Sequence, residues 1–83
     1  MKVLYFAWLR ERVGVAEEQV EPPVEVRTVA DLAGWLRARG GGHAHAFENP
    51  AVVRAALDRR HVKPDALLHG AREIAFFPPM TGG

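Results

Sequence analysis

The two most apolar segments of this 83-residue chain lie at its opposite ends, "KVLYFAWL" over Lys2 to Leu9 and "EIAFF" over Glu73 to Phe77. The first is rich in aromatic and β-branched residues and is apolar on both alternating faces, Val3/Tyr5/Ala7 and Leu4/Phe6/Trp8. That pattern suits a strand covered on both sides. Two such strands belong in the middle of a sheet, so the first and last strands are expected to be neighbours. The C-terminus then leaves from a central strand.

The intervening chain supplies the other elements. "RERVG" at 10–14 turns polar and ends in Gly14, which predicts a loop or helical turn. Weak alternation predicts a second strand near Glu17 to Val20, ended by Pro22 and Pro23. In Thr28 to Gly40, apolar Val29, Leu32, Ala33 and Leu36 recur at i, i+3, i+4 and i+7, one face of an amphipathic helix. Thr28 suits its N-cap, Asp31 its first turn, Arg37 and Arg39 its C-terminal dipole, and Gly40 its C′ position. "GGGHAHAFENP", Gly40 to Pro50, reads as a flexible connection, and "AVVRAAL", Ala51 to Leu57, fits strand or helix. "DRRHVKPD" then predicts a turn between two short strands, and "ALLHGAR" a loop with buried leucines. The expected architecture is α+β and β-grasp-like, a mixed sheet of four to five strands with one main helix packed across it.

Composition limits what such a domain can do. With 48% hydrophobic and 25% charged residues, the chain holds one core, expected over residues 1–77 with 78–83 as an extended tail. A domain this small buries roughly 60 to 65% of its unfolded surface, which leaves little material for a deep catalytic cleft. A formal charge of +1 argues for neither nucleic acid nor an anionic membrane as partner. The run Val3 to Leu9 is far short of the roughly 20 residues of a membrane span, and the N-terminus lacks signal-peptide order, so a cytoplasmic location is expected. The absence of cysteine removes disulfides, thiolate catalysis and Cys-based zinc sites together.

The ending "IAFFPPMTGG" carries the strongest functional signal. Pro78 cannot donate to a ladder and Pro79 forces its predecessor into an extended form, so pairing should stop at Phe77 and the chain should project outward. Six residues reach roughly 20 Å when extended. Gly82 and Gly83 put a carboxylate at the tip with no side chain behind it, able to thread a channel that an alanine methyl would obstruct. A carboxylate is a poor acyl donor until activated, commonly as an adenylate made with ATP. The chain has no phosphate-binding glycine motif with its Lys and Ser/Thr, so a separate enzyme must perform that step.

Other candidates carry less. His43 and His45 would share a face in a strand and offer two imidazoles to a metal, but no third or fourth ligand stands nearby, so no metal site is assigned. Arg54, Arg59, Arg60 and Lys63 lack interleaved stacking aromatics and read as a solvated strand–turn surface. Phe6, Trp8, Phe76 and Phe77 are expected mainly in the core. With one helix to cover strands apolar on both sides, however, one sheet face near the tail should expose an aromatic docking patch. No triad or carboxylate pair can be assembled.

The segments "VLYFAWLRERVG" and "EIAFFPPMTGG" resemble the small, sulfur-carrier subunit of molybdopterin synthase, most specifically in "FFPP" followed two residues later by "GG". The resemblance implies a ubiquitin-like β-grasp fold and a mechanism. A partner adenylating, E1-like enzyme would use ATP to convert the Gly83 carboxylate to an acyl-adenylate, and a sulfur donor protein would replace AMP to give a thiocarboxylate. The large subunit would accept the tail, pass the sulfur to cyclic pyranopterin monophosphate, and assemble with the carrier as a heterotetramer. Gly83 is then the covalent site and Gly82 its steric allowance. Phe76, Phe77, Pro78 and Pro79 form the exit, and Met80 and Thr81 line the channel contact. The isolated domain would bind no cofactor and would be no enzyme on its own. Two positions depart from the family pattern: "GARE" at 70–73 stands where relatives have Gly-Asp-Glu, and Asp58 lies near a common asparagine. The alternatives are the sulfur carrier of thiamine-thiazole synthesis, a ubiquitin-like protein modifier, and a plain binding module.

Overall fold

The computed structural model describes residues 1–79. Five strands form one sheet: β1 (Lys2–Tyr5), β2 (Glu17–Gln19), β3 (Arg54–Leu57), β4 (Arg60–Val62) and β5 (Glu73–Phe77), in the order β2-β1-β5-β3-β4. The two end strands are central neighbours, as expected, and they pair in parallel with Val3 opposite Ile74 and Tyr5 opposite Phe76. The remaining pairs are antiparallel. This is the mixed sheet of an α+β, ubiquitin-like fold, and its last central strand carries the chain toward the tail.

Three helices accompany the sheet where one was expected: α1 (Ala7–Val13), α2 (Val29–Arg37) and α3 (Gly41–Ala46). The first corrects the reading of Lys2 to Leu9 as one strand. β1 ends at Tyr5, Phe6 stays extended, and Ala7 takes φ 55 to swing the chain out of the sheet. Leu9 and Val13 then fall at i, i+4 on the inner side, and the Arg12 guanidinium lies 4.5 Å from the centroid of the Trp8 ring one turn away. Gly14, at φ 98, closes the helix with its N–H on the Arg10 carbonyl. Trp8 therefore belongs to a helix and not to the sheet.

Helix α2 follows the sequence closely. Thr28 Oγ1 accepts from the Asp31 N–H at 3.0 Å, while Asp31 Oδ2 accepts from the Thr28 and Arg27 N–H groups at 3.1 Å, a complete capping box. These backbone hydrogen bonds hold the Asp31 carboxyl below its ordinary pKa. The helix ends at Arg37 with Ala38 as its C-cap, so Gly40 falls one residue beyond the C′ position expected for it; at φ 80 it donates to the Arg37 carbonyl and serves as the N-cap of α3.

Helix α3 occupies the segment expected to be a flexible connection. One of its glycines serves close packing: a methyl group on Gly42 would run into the Arg12 carbonyl, so α3 lies directly against the end of α1. Leu9, Leu32, Leu36, Phe47, Val3, Tyr5, Ile74 and Phe76 make one core between helices and sheet. Phe47 and Phe76 meet edge to face at 4.9 Å, and Tyr5 and Phe76 lie nearly parallel at 6.5 Å. Of the two loop leucines, Leu68 is buried but Leu67 is exposed.

One polar cluster ties β1, β2 and α3 together. Glu18 Oε2 accepts from the Tyr5 hydroxyl at 2.7 Å and lies 2.6 Å from His43 Nε2, while Oε1 accepts from Arg39 at 3.0 Å. Burial opposes charge on Glu18, but the hydrogen bonds from His43, Tyr5 and Arg39 outweigh it and set the carboxyl below its ordinary pKa. Burial, with the Glu18 hydrogen bond and charge, keeps the Tyr5 phenol protonated. His43 thus serves the fold. His45, two residues on in a helix, points away from it, and among the described residues no group of three metal-ligating side chains exists.

Candidate functional site

The helices cover one face of the sheet, the side of Val3, Tyr5, Ile74 and Phe76. Alternation places Leu4 and Phe6 of the β1 segment and Ala75 and Phe77 of β5 on the other side, and none of these four belongs to the core cluster. The pairing registers extend this face outward. Leu4 lies opposite Glu17 and Ala75, Ala75 opposite Ala56, and Ala56 opposite His61. Leu4, Ala75 and Ala56 therefore make a row of small and apolar side chains across three strands, with Glu17 and His61 at its two ends. The strand β1 is covered on one side only, and its second apolar face is the expected patch.

Next to that row lie the largest rings. Phe6 is 48% exposed, and its N–H donates to the Phe76 carbonyl at 3.1 Å, which fixes it beside the last turn of β5. Phe77 packs on His61 with ring centroids 5.0 Å apart. Phe6, Ala7, Ala75, Phe77, Pro78, Pro79 and His61 together line an open concavity. Its floor is low because Ala75 is small, and its walls are aromatic and proline rings. Charge lies at the margin: Arg54 is the register partner of Phe77, and Lys2 pairs with Glu17 at 3.4 Å.

The tail starts inside this concavity. β5 makes its last pairing at Phe77, and Pro78 and Pro79, both half-buried, continue without sheet pairing, as their missing N–H groups require. Phe77, Pro78 and Pro79 are thus brought together as the exit. Phe76 is not part of that surface. Its side chain is 1% exposed and faces the core, so the binding role expected of it is corrected to that of an anchor beneath the exit. Met80, Thr81, Gly82 and Gly83 lie outside the described residues.

Residues that sequence reasoning passed over complete the site. His61 stood within a polar turn sequence, yet its position next to inward Val62 sends it to the open face. Ala7 drew no attention because its left-handed backbone has no signature in residue type. The basic cluster, in contrast, does not form one patch: Arg54 lies opposite Phe77 on the open side, Arg60 lies opposite Leu57 on the alternate side, and Arg59 sits in the turn at φ 72. The two departures in the loops are local. Asp58 Oδ1 accepts from the Arg72 and Glu73 N–H groups at 2.9 and 3.0 Å, a task that an asparagine carbonyl could also perform.

Known proteins share both the fold and the extent of the chain. The model of the ThiS family matches residues 3–83. The chain belongs to this family. Among its relatives are two proteins named molybdopterin synthase sulfur carrier subunit. That of Escherichia coli K12 is 37% identical and that of Haemophilus influenzae 32%, each covering 100% of this chain and 99% of the relative. A solved structure from Pyrococcus furiosus, described as a molybdopterin converting factor, subunit 1, superposes with a TM-score of 0.76 at 34% identity, covering 94% of each chain. The crystal structure of SAMP1 from Haloferax volcanii superposes with a TM-score of 0.73 at 23% identity, covering 100% of this chain and 98% of that one, a likeness of fold.

Proposed function

We propose that this ThiS-family chain is a sulfur carrier in molybdenum cofactor biosynthesis, the small subunit of a molybdopterin synthase. The observation that carries the reading is the full-length similarity to two proteins named for that role, joined to an arm that leaves a central strand through an open apolar face. In this reading the described domain is a handle and Gly83 is the reacting group. A partner adenylating enzyme transfers AMP from ATP to the Gly83 carboxylate and releases pyrophosphate. Hydrosulfide delivered by a donor protein then attacks the carbonyl carbon, and AMP leaves with the electron pair of the broken C–O bond, which gives the thiocarboxylate. The thiocarboxylate sulfur next attacks a carbon of cyclic pyranopterin monophosphate in the large subunit and displaces the oxygen that carbon carries, and water then cleaves the resulting thioester, which leaves the sulfur on the pterin and a carboxylate on Gly83. A dithiolene holds two sulfurs, so its completion uses two loaded tails.

The chain itself contributes binding and aim, and no proton transfer is assigned to its side chains. Phe6, Phe77 and His61 dock the partner, Pro78 and Pro79 direct the arm, Met80 and Thr81 line the channel, and Gly82 and Gly83 allow close approach. The domain binds no cofactor of its own in this scheme, and the work is done in the cytoplasm, where ATP is available. Among the described residues no helix is long and apolar enough to cross a membrane.

The test is sulfur transfer to the pterin precursor in the presence of the large subunit and the activating enzyme. Gly83→Ala, or one residue added beyond Gly83, is expected to abolish transfer while leaving the fold intact, and unimpaired transfer overturns the proposal. A thiazole-synthesis carrier would load Gly83 equally well but fail to deliver to the pterin. A protein modifier would instead appear linked to lysines of other proteins.

A further inference from the structure

The charges of the open face are unevenly divided. Alternation along β3 and β4 sends Arg54, opposite Phe77, and His61, opposite Ala56, to the side from which the tail leaves. Lys63 follows on that side, because Val62 before it packs against the core and the Pro64 carbonyl after it accepts from the Ala30 N–H of α2 at 2.9 Å. All three side chains are exposed. Among the described residues none has an acidic partner, and Arg54 makes one side-chain hydrogen bond, to the Ala51 carbonyl at 3.2 Å. The carboxylate of the hairpin, Asp58, is turned instead to the Arg72 and Glu73 N–H groups at the start of β5.

The opposite margin differs. Glu17 pairs with Lys2 at 3.4 Å, and Glu73 is the register partner of the same lysine, so two carboxylates there share one cation. Leu4 and Phe6 lie between the margins and bear no charge. The formal +1 of the chain therefore conceals a face with two cations and an imidazole gathered beside Phe77. An apolar centre supplies affinity, whereas a charged rim steers encounter and fixes orientation. We propose that the partner receiving the tail presents an acidic rim to Arg54, His61 and Lys63, and that this pairing sets the orientation in which the arm enters. The proposal rests on the carrier reading for the identity of that partner, the large subunit. Arg60, which the register places opposite Leu57 on the alternate side, takes no part.

The test is stopped-flow association of the full chain with the large subunit. Association is expected to slow about tenfold or more between about 0.03 and 0.3 M NaCl. Arg54→Glu should slow it about tenfold at low salt, and adding Lys63→Glu should flatten the salt dependence. Arg54→Lys should keep the rate, and Arg60→Glu, the same charge reversal on the same hairpin, should stay within about threefold. Phe77→Ala is the reference for docking itself. Unchanged affinity in that variant removes the docking reading. Weakened affinity there, together with salt-independent association or with equal effects of reversing Arg54 and Arg60, overturns the acidic rim and leaves these charges as guards of the sheet edge.

Discussion

Phe76 and Phe77 are consecutive and chemically identical, yet β5 sends them to opposite sides of the sheet. Phe76 meets Tyr5 and Phe47 and is buried in the core, whereas Phe77 meets His61 and the first residues of the tail. The same residue type therefore fills the core at one position and lines the open face at the next, and the parity of the strand decides which. The same division runs through β1, where Tyr5 belongs to the core and Phe6 to the open face.

The sharpest way to break this comparison is to truncate each ring in turn. Phe76→Ala is expected to cost about 3–5 kcal/mol, a large part of the stability of so small a domain, measured by chemical denaturation. Phe77→Ala should lose less than about 1 kcal/mol of stability but weaken binding to the large subunit by about 2 kcal/mol, some 30-fold, measured by calorimetry. Equal effects of the two changes on stability would show that the open face is part of the core.

A smaller contrast separates two helical glycines. Gly42→Ala should destabilise by about 1–3 kcal/mol because the added methyl meets the Arg12 carbonyl. Gly34→Ala, with open space above it, should stabilise by roughly 0.5–1 kcal/mol through helix propensity. Thermal melts of both variants test whether close approach sets the requirement for glycine at position 42 in α3 and leaves position 34 in α2 free of it.

The smallest effect concerns pH. The folded-state pKa of Glu18 is depressed below its ordinary value of 4.5, so its stabilisation is present above that value and fades as pH falls through the lower folded one. Asp31 shifts in the same direction. Acid should therefore destabilise the chain below about pH 4.5, and Glu18→Gln should flatten that decline. An unchanged acid limb in the variant would remove Glu18 from the account.

Much of this was legible because some signals are local. Thr28 and Asp31 announce their helix through a cap that depends on nothing distant, and the prolines after Phe77 end a strand by chemistry alone. Helix α1 was hidden because Ala7, Trp8 and Leu9 prolong the apolar alternation of β1, and only the Leu9–Val13 spacing with Gly14 behind it marks a separate element. Helix α3 was hidden because glycine signals both looseness and close packing, and only the position of Arg12 distinguishes them. The open face followed from a count of apolar strand faces against available helices. His61 did not, because its place there depends on the register of β4 with β3.

The central claim, that Gly83 is the carrier's reacting group, is tested most directly by mass spectrometry of the C-terminal fragment from protein isolated from cells. Oxygen replaced by sulfur adds about 16 Da, as does oxidation of Met80, so fragment ions must place the added mass beyond that residue. The account predicts a population carrying this mass on Gly83, lost when the activating enzyme is removed. A Gly83 found only as carboxylate in cells actively making the cofactor would contradict it.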